Sequence, residues 1–322
     1  MDNTINENKY IRLNGIEQFI SINGKNSEQP LIIFLHGGPG AAYGTRSYIF
    51  KEWFKHFNVV FWDQPGAGRT AIKNPDFIPT FEYIIDSLKS LIEYLKRKFN
   101  KEKIGIIARS WGTVPGLYYV NHFPKDILFY CGTGQLIDTQ KDEHVVYQEL
   151  HKRLLKEKNA EGLKKLSELG KDYPGKNLSN IREKLDKFHQ YIEDYGMFFE
   201  NSNSGMSKKE ELLNSPIYIP EDLTIQKRVS SNQDEIFKFL GMFSAYNYSL
   251  NYRIPFCLIL GQKDWVVPVQ HQINFFNDIS APKKELVLLE NAGHKAMMDQ
   301  PKEFLKALIN FIQSTHEADS FN

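Results

Sequence analysis

A serine, an aspartate and a histidine, each at the end of a short apolar run, raise the first chemical question in this sequence. Ser110 stands in "IGIIARSWGTVPGL" (104 to 117), Asp264 in "LILGQKDWVVP" and His294 in "LLENAGHKAMMDQP". A serine hydroxyl is a poor nucleophile until a base takes its proton, and an imidazole base needs a carboxylate to orient it. Ser, then Asp, then His is one of the chain orders in which such a relay is built. The chemistry this predicts is acyl transfer, with Ser110 attacking a carbonyl, His294 carrying the proton and Asp264 holding the imidazole. A fourth stretch, "FLHGGPGAAYG", supplies a further requirement. The intermediate carries negative charge on oxygen, and N–H groups of a Gly-rich turn can reach it with no side chain in the way. The expected oxyanion donors are the N–H groups of Gly38 and Trp111, with Gly37 the neighbouring alternative to Gly38.

Such a serine must sit on a sharp strand-to-helix turn, with small residues two places before and two after it. Ala108 and Gly112 occupy those places, giving A-x-S-x-G. Pro115 falls in or just after the first helical turn, where its missing N–H costs least. The runs "LIIFLH", "VVFW", "KIGIIA", "ILFY", "FCLIL" and "ELVLLE" are apolar throughout, as strands buried on both faces of a parallel sheet are. Asn14-Gly15 between two earlier β-like runs predicts a hairpin. Helical patterns alternate with the strands. One has its apolar stripe at 84, 88, 91, 92 and 95; the last starts at Pro301 and is expected to bury Leu305, Leu308 and Ile312. The class is therefore α/β. From about 135 to 250 the alternation stops and Lys- and Glu-rich helical segments follow one another. The expected division is a core of residues 1–134 and 251–322, with a helical cap over 135–250.

"HGGPG", "WDQPGAGRT", "SWG", "GQKDWVVP" and "NAGHKAMMDQP" together resemble the motif set of the prolyl-iminopeptidase-like branch of the α/β-hydrolases. The resemblance covers the catalytic core at both ends of the chain. It implies an α/β-hydrolase fold, serine hydrolysis without cofactor or metal, and a helical cap that shapes the pocket. Pro65 stands where the family has Arg, and Thr70 where it has Ser. The segment "GTGQLIDTQKDEHVVYQEL" does not align with the acidic motif that proline-removing members carry near the cap start. The implied substrate is a small molecule or short peptide, cleaved by an aminopeptidase-like enzyme acting on a small N-terminal residue such as proline. The alternative is a small-molecule carboxylesterase or amidase, and the rival from another class is a non-catalytic binding protein on the same scaffold.

An aminopeptidase needs a buried acceptor for the substrate ammonium. Asp138, Glu143, Glu149 and Glu200 are candidates for it in the cap, and each reads as solvated. Asp63 reads as structuring its own loop through backbone N–H groups, His36 as holding the Gly-rich turn, and Asp299 as a helix N-cap. The other histidines, His122 and His271 among them, read as surface or helix positions. Tyr43, Trp53 and Phe243 read as pocket lining or core.

With 40 Lys and Arg against 39 Asp and Glu, the formal charge is +1. A near-neutral balance gives no electrostatic case for nucleic acid or an anionic membrane surface, and the basic run 151–171 reads as a solvated helix face. No apolar run approaches the ~20 residues of a membrane span, and the polar N-terminus shows no secretion signal. Two cysteines in apolar runs suggest a reducing compartment, so the expected location is cytoplasmic. No Cys/His cluster has metal-ligand spacing. Nothing in the sequence speaks to oligomeric state.

Overall fold

Strands β1 (Ile5–Leu13) and β2 (Ile16–Gly24) form an antiparallel hairpin in which Leu13 faces Ile16 across a two-residue turn. Asn14 and Gly15 both take positive φ there (47° and 92°), as a turn matching the right-handed strand twist requires. This computed structural model describes residues 4–199, 210, 213, 215 and 230–319. The remaining strands are β3 (Leu31–Leu35), β4 (Asn58–Trp62), β5 (Ile104–Arg109), β6 (Ile127–Thr133), β7 (Phe256–Gly261) and β8 (Lys284–Leu289). They make one eight-stranded sheet in the order β1-β2-β4-β3-β5-β6-β7-β8. From β4 to β8 every neighbouring pair is parallel, so the expected α/β class with a mostly parallel sheet holds.

The period of two along each strand divides the core into two layers. Ile33, Leu35, Val60, Ile106 and Leu258 pack with α2 (Phe81–Phe99), α3 (Thr113–His122) and α8 (Val269–Asp278). Ile32, Phe34, Val59, Ile107 and Ile259 pack on the other face with α9 (Ala296–Asp299) and α10 (Pro301–Asp319). Helix α2 buries the predicted stripe of Ile84, Leu88, Leu91, Ile92 and Leu95. Thr80 caps it by accepting from the Tyr83 N–H. Helix α10 buries Leu308 and Ile312 as expected, but Phe304 and Phe311 complete its stripe and Leu305 is only half-buried.

One strand departs from expectation. "ELVLLE" reads as buried on both faces, yet β8 is the sheet edge, and Leu288 is exposed with Leu286 and Val287 half-buried. Composition cannot separate an edge strand from a central one when its residues are equally apolar. Cys131 and Cys257 lie opposite each other in the β6–β7 register, both buried and both unpaired as disulfides.

A short helix, α1 (Gly68–Lys73), follows β4. Between β6 and β7 lie α4 (Thr139–Lys156), α5 (Ala160–Ser167), α6 (Ile181–Asp194) and α7 (Asp234–Gly241). Val146, Leu150, Leu166, Phe188 and Ile192 form their own apolar cluster. Helix α7 instead joins the sheet's core through Ile236 and Leu240, and its Phe239 stacks on Phe81 of α2 at 3.9 Å. Among the described residues, no helix is long and apolar enough to cross a membrane.

Candidate active site

Ser110 opens a 3₁₀ turn (Ser110–Gly112) between β5 and α3 and holds φ at 52°. This left-handed conformation is uncommon for a residue with a Cβ and lifts the hydroxyl off the strand end. The turn can be this sharp because a Cβ on Gly112 would stand 2.2 Å from the Leu35 carbonyl oxygen. The Gly116 backbone also packs close to Ala108, where a Cβ would lie 3.2 Å from the alanine Cβ. The small residues flanking Ser110 are thus demanded by backbone contact between helix and sheet.

His294 and Asp264 reach Ser110 from loops after β8 and β7. His294 Nε2 is 2.9 Å from Ser110 Oγ, and His294 Nδ1 is 3.0 and 3.2 Å from the two Asp264 oxygens. With Nδ1–H donating to the carboxylate, Nε2 presents its lone pair to the serine hydroxyl. Asp264 is itself held: Oδ1 accepts from the N–H groups of Val266 and Val267 (2.9 and 3.0 Å), and Oδ2 from Gln272 Nε2 (3.3 Å). The two loops touch directly, since a Cβ on Gly261 would fall 2.1 Å from the Gly293 carbonyl oxygen. Asp299 does not cap a helix as expected. Its Oδ2 accepts from the Gly293 N–H (2.8 Å) and so fixes the loop one residue before His294. Gly134, after β6, backs the imidazole: it has φ of 54°, and a Cβ there would lie 2.7 Å from His294 Cε1.

The Gly-rich turn packs beside Ser110. Gly38 has φ of 120°, and a side chain there would run into the Gly40 and Ala41 nitrogens. His36 holds the turn as expected: Nδ1 donates to the Gly37 carbonyl (2.8 Å), and Nε2 accepts from the Gln64 N–H (3.3 Å). Burial pulls its pKa down to about 4 against the opposing Gly37 hydrogen bond, with the Arg109 charge adding to the fall. His36 is therefore neutral, and both ring nitrogens are engaged. Gln64 ties the assembly together, donating to the His36 carbonyl (3.2 Å) and accepting from the Trp111 indole (2.9 Å). Asp63 structures its own loop as expected, accepting from the Arg69 N–H at 2.8 Å.

The acidic residues of 135–250 divide. Asp138 is half-buried and caps α4 by accepting from the Lys141 N–H, while Glu149 pairs with Arg153 at 3.0 Å. Glu143 is not solvated: it is 6% exposed, and its two oxygens take the Tyr173 hydroxyl and His189 Nε2, each at 2.7 Å. Glu200 lies outside the described residues. His271, read as an ordinary helix position, joins α8 to α4 through Asp142 at 2.6 Å. Trp53 and Phe243 are core residues, and the Tyr43 side chain lies outside what the structure describes. Sequence reasoning missed Gln64, Gly134 and Gln272. Only Gln64 carried a signal, its place in "WDQPG".

Comparison with known proteins bears on the fold and family of this chain. A probable aminopeptidase, YbaC of Bacillus subtilis, is 25% identical over 315 residues, covering 93% of this chain and 94% of the relative. A proline iminopeptidase of Saccharolobus solfataricus is 22% identical over 315 residues, covering 96% and 93%. The solved structure of the Mycobacterium smegmatis proline iminopeptidase superposes with a TM-score of 0.70 at 17% identity, covering 97% of this chain and all of that one. Residues 30–301 match the family described as the alpha/beta hydrolase fold, and this chain belongs to that family.

Proposed function

We propose that this protein is a serine hydrolase that cleaves a small amide or ester through an acyl-enzyme. One observation carries the reading: an unbroken relay from the Asp264 carboxylate through His294 to Ser110 Oγ, with the serine held at φ of 52°. Ser110 Oγ attacks the substrate carbonyl as His294 Nε2 accepts the hydroxyl proton, and Asp264 stabilises the imidazolium. The Gly38 and Trp111 N–H groups bind the oxyanion. His294 returns the proton to the departing amine or alcohol; water, deprotonated by the same imidazole, then releases the acid. Residues 135–250 act as a cap over this centre, between core portions 1–134 and 251–322. Phe199 supports that role, because its carbonyl oxygen would lie 2.5 Å from a Cβ placed on Gly293.

The relatives named as a probable aminopeptidase and a proline iminopeptidase, each covered over more than nine-tenths of its length, favour amide cleavage at a free N-terminus. A second reading, hydrolysis of small carboxylic esters, also has an observation in its favour. Every buried carboxylate among the described residues already has a partner, so none of them waits for a substrate ammonium. A fluorophosphonate should label the protein and fail on Ser110→Ala, and the substitution itself should slow turnover of any substrate by at least about a thousandfold. No labelling of the wild type would favour a binding protein on the same scaffold. Aminoacyl arylamides with free and acetyl-blocked amino groups, run beside short-chain aryl esters, separate the two substrate readings. Turnover of only the free-amine compounds supports the aminopeptidase, and equal turnover of blocked compounds and esters removes it.

A further inference from the structure

Arg109 ends β5, immediately before Ser110, and no step of the proposed reaction uses it. It is 8% exposed, its Nε is enclosed, and no hydrogen bond or ion pair engages its guanidinium among the described residues. A buried cation without a counter-charge is strongly destabilising, so an arginine in such a place is normally paired. The five buried carboxylates (Asp63, Asp142, Glu143, Asp264 and Asp299) all have other partners.

The guanidinium lies at the reaction centre. A Cβ on Gly37 would meet Arg109 Nη1 at 3.0 Å and Ser110 Cβ at 3.1 Å, so the cation, the oxyanion turn and the candidate nucleophile converge on one point. Thr133 is the register partner of Arg109 on β6; it is fully buried, and its Oγ1 also has no partner. Two unsatisfied polar side chains therefore flank the edge from which the serine projects. The neighbouring His36 is held neutral and does not compete as a cation. An arginine offers a planar fork of donors that matches a carboxylate, and partial desolvation strengthens the match.

We propose that Arg109 is a specificity-determining residue that takes a carboxylate of the substrate, with the Thr133 hydroxyl as a supporting donor. The substrate class is then an amide or ester carrying a carboxylate a few bonds from the scissile carbonyl. That carboxylate sits either on the leaving half, as in a free dipeptide, or on the acyl half, as in a half-ester of a short dicarboxylic acid. This assignment rests on the serine-hydrolase reading above.

Two matched pairs test it: a dipeptide against its C-terminal amide, and p-nitrophenyl hemiglutarate against p-nitrophenyl butyrate. The wild type should prefer the anionic member of one pair by roughly 10- to 100-fold in kcat/KM, mostly through KM, as expected for losing hydrogen bonds to a charged group. The pair that shows the preference locates the carboxylate. Arg109→Met, which keeps the apolar stem, should collapse the ratio towards one, and Arg109→Lys should restore part of it. Ratios near one for the wild type in both pairs would overturn the proposal without need of a variant, as would an unchanged ratio in Arg109→Met. Fluorophosphonate labelling is scored separately in each protein. Labelled wild type with no anionic preference rejects the Arg109 subsite alone; unlabelled wild type rejects the nucleophile and the subsite with it.

Discussion

His36 shows how one neutral side chain can organise a charged reaction. Its ring joins the Gly-rich turn to Gln64, and Gln64 joins both to the Trp111 indole, so the two expected oxyanion amides are braced by one network. The network requires the unprotonated ring, because Nε2 is an acceptor. His36 titrates near 6.5 when unfolded but is held down to about 4 in the native protein. Between those values the unfolded chain binds a proton that the native chain refuses, so stability falls as pH drops through this window. The loss from this group should approach roughly 3 kcal/mol at the acid end, from about 1.4 kcal/mol per pH unit. Urea midpoints from pH 7 to 4.5 should fall less steeply in His36→Gln than in the wild type; parallel slopes would exclude His36 as the source. His36, Asp63, Ser110, Asp264 and His294 were legible because each sits at a strand end inside a distinctive loop. Gly134, Gln272 and the true role of Asp299 were not, because each acts across space on another loop and leaves no local pattern. The spare charge of Arg109 was hidden for a different reason, since it follows from where every buried carboxylate has gone.

Elements were legible where burial is complete. Strands β3 to β7 are enclosed on both faces and so carry unbroken apolar runs, whereas β8 has similar residues at an exposed edge and betrays nothing of its place. The packing of α4 was equally hidden, because its anchor is polar. Asp142, in its first turn, accepts from the N–H groups of Ile137 and Asp138 and from His271 on α8. The carboxylate beside His271 raises that imidazole's pKa against the cost of burial. Stability from the pair is thus fully present below the unfolded value near 6.5 and is lost as pH rises through the elevated native one. This is the opposite sign to His36. His271→Ala should destabilise by about 1–3 kcal/mol at pH 6, on the scale of a partly buried charge-assisted hydrogen bond, and by less at pH 9. Denaturant unfolding at the two pH values checks this, and an equal penalty at both would show that the imidazole acts only by packing.

At the scale of the whole molecule, the question is whether the helices between β6 and β7 can move independently of the sheet that carries Ser110. Their attachments are uneven. Helix α7 shares the sheet's own core and stacks on α2, while α4, α5 and α6 bury their apolar faces mainly against one another. Apart from two α7 residues, Gly241 packing on Ile181 and Phe237 packing against the cluster, what joins that group to the rest is largely polar. The Asp142–His271 pair tethers α4, Gln140 donates to the Gly241 carbonyl of α7 at 2.7 Å, and Arg153 lies 5.1 Å over the Trp265 ring. Near the centre itself, Lys263 sits over Phe199 at 4.3 Å and Lys295 over Phe198 at 5.0 Å, next to Asp264 and His294 respectively. Contacts of this kind are worth about 0.5–2 kcal/mol each, far below the burial that fixes α7. A cap that admits substrate should therefore open by releasing α4 to α6 while α7 stays with the sheet. Native-state hydrogen exchange distinguishes the cases, because it reports the free energy of each local opening. Amides of α5 and α6 should exchange through an opening clearly less costly than global unfolding, whereas those of α7 and β5 should share the global value. If α5 and α6 exchanged only with β5, at the same free energy and denaturant dependence, the cap would have no independent motion, and substrate would have to enter along a path already open in the folded protein.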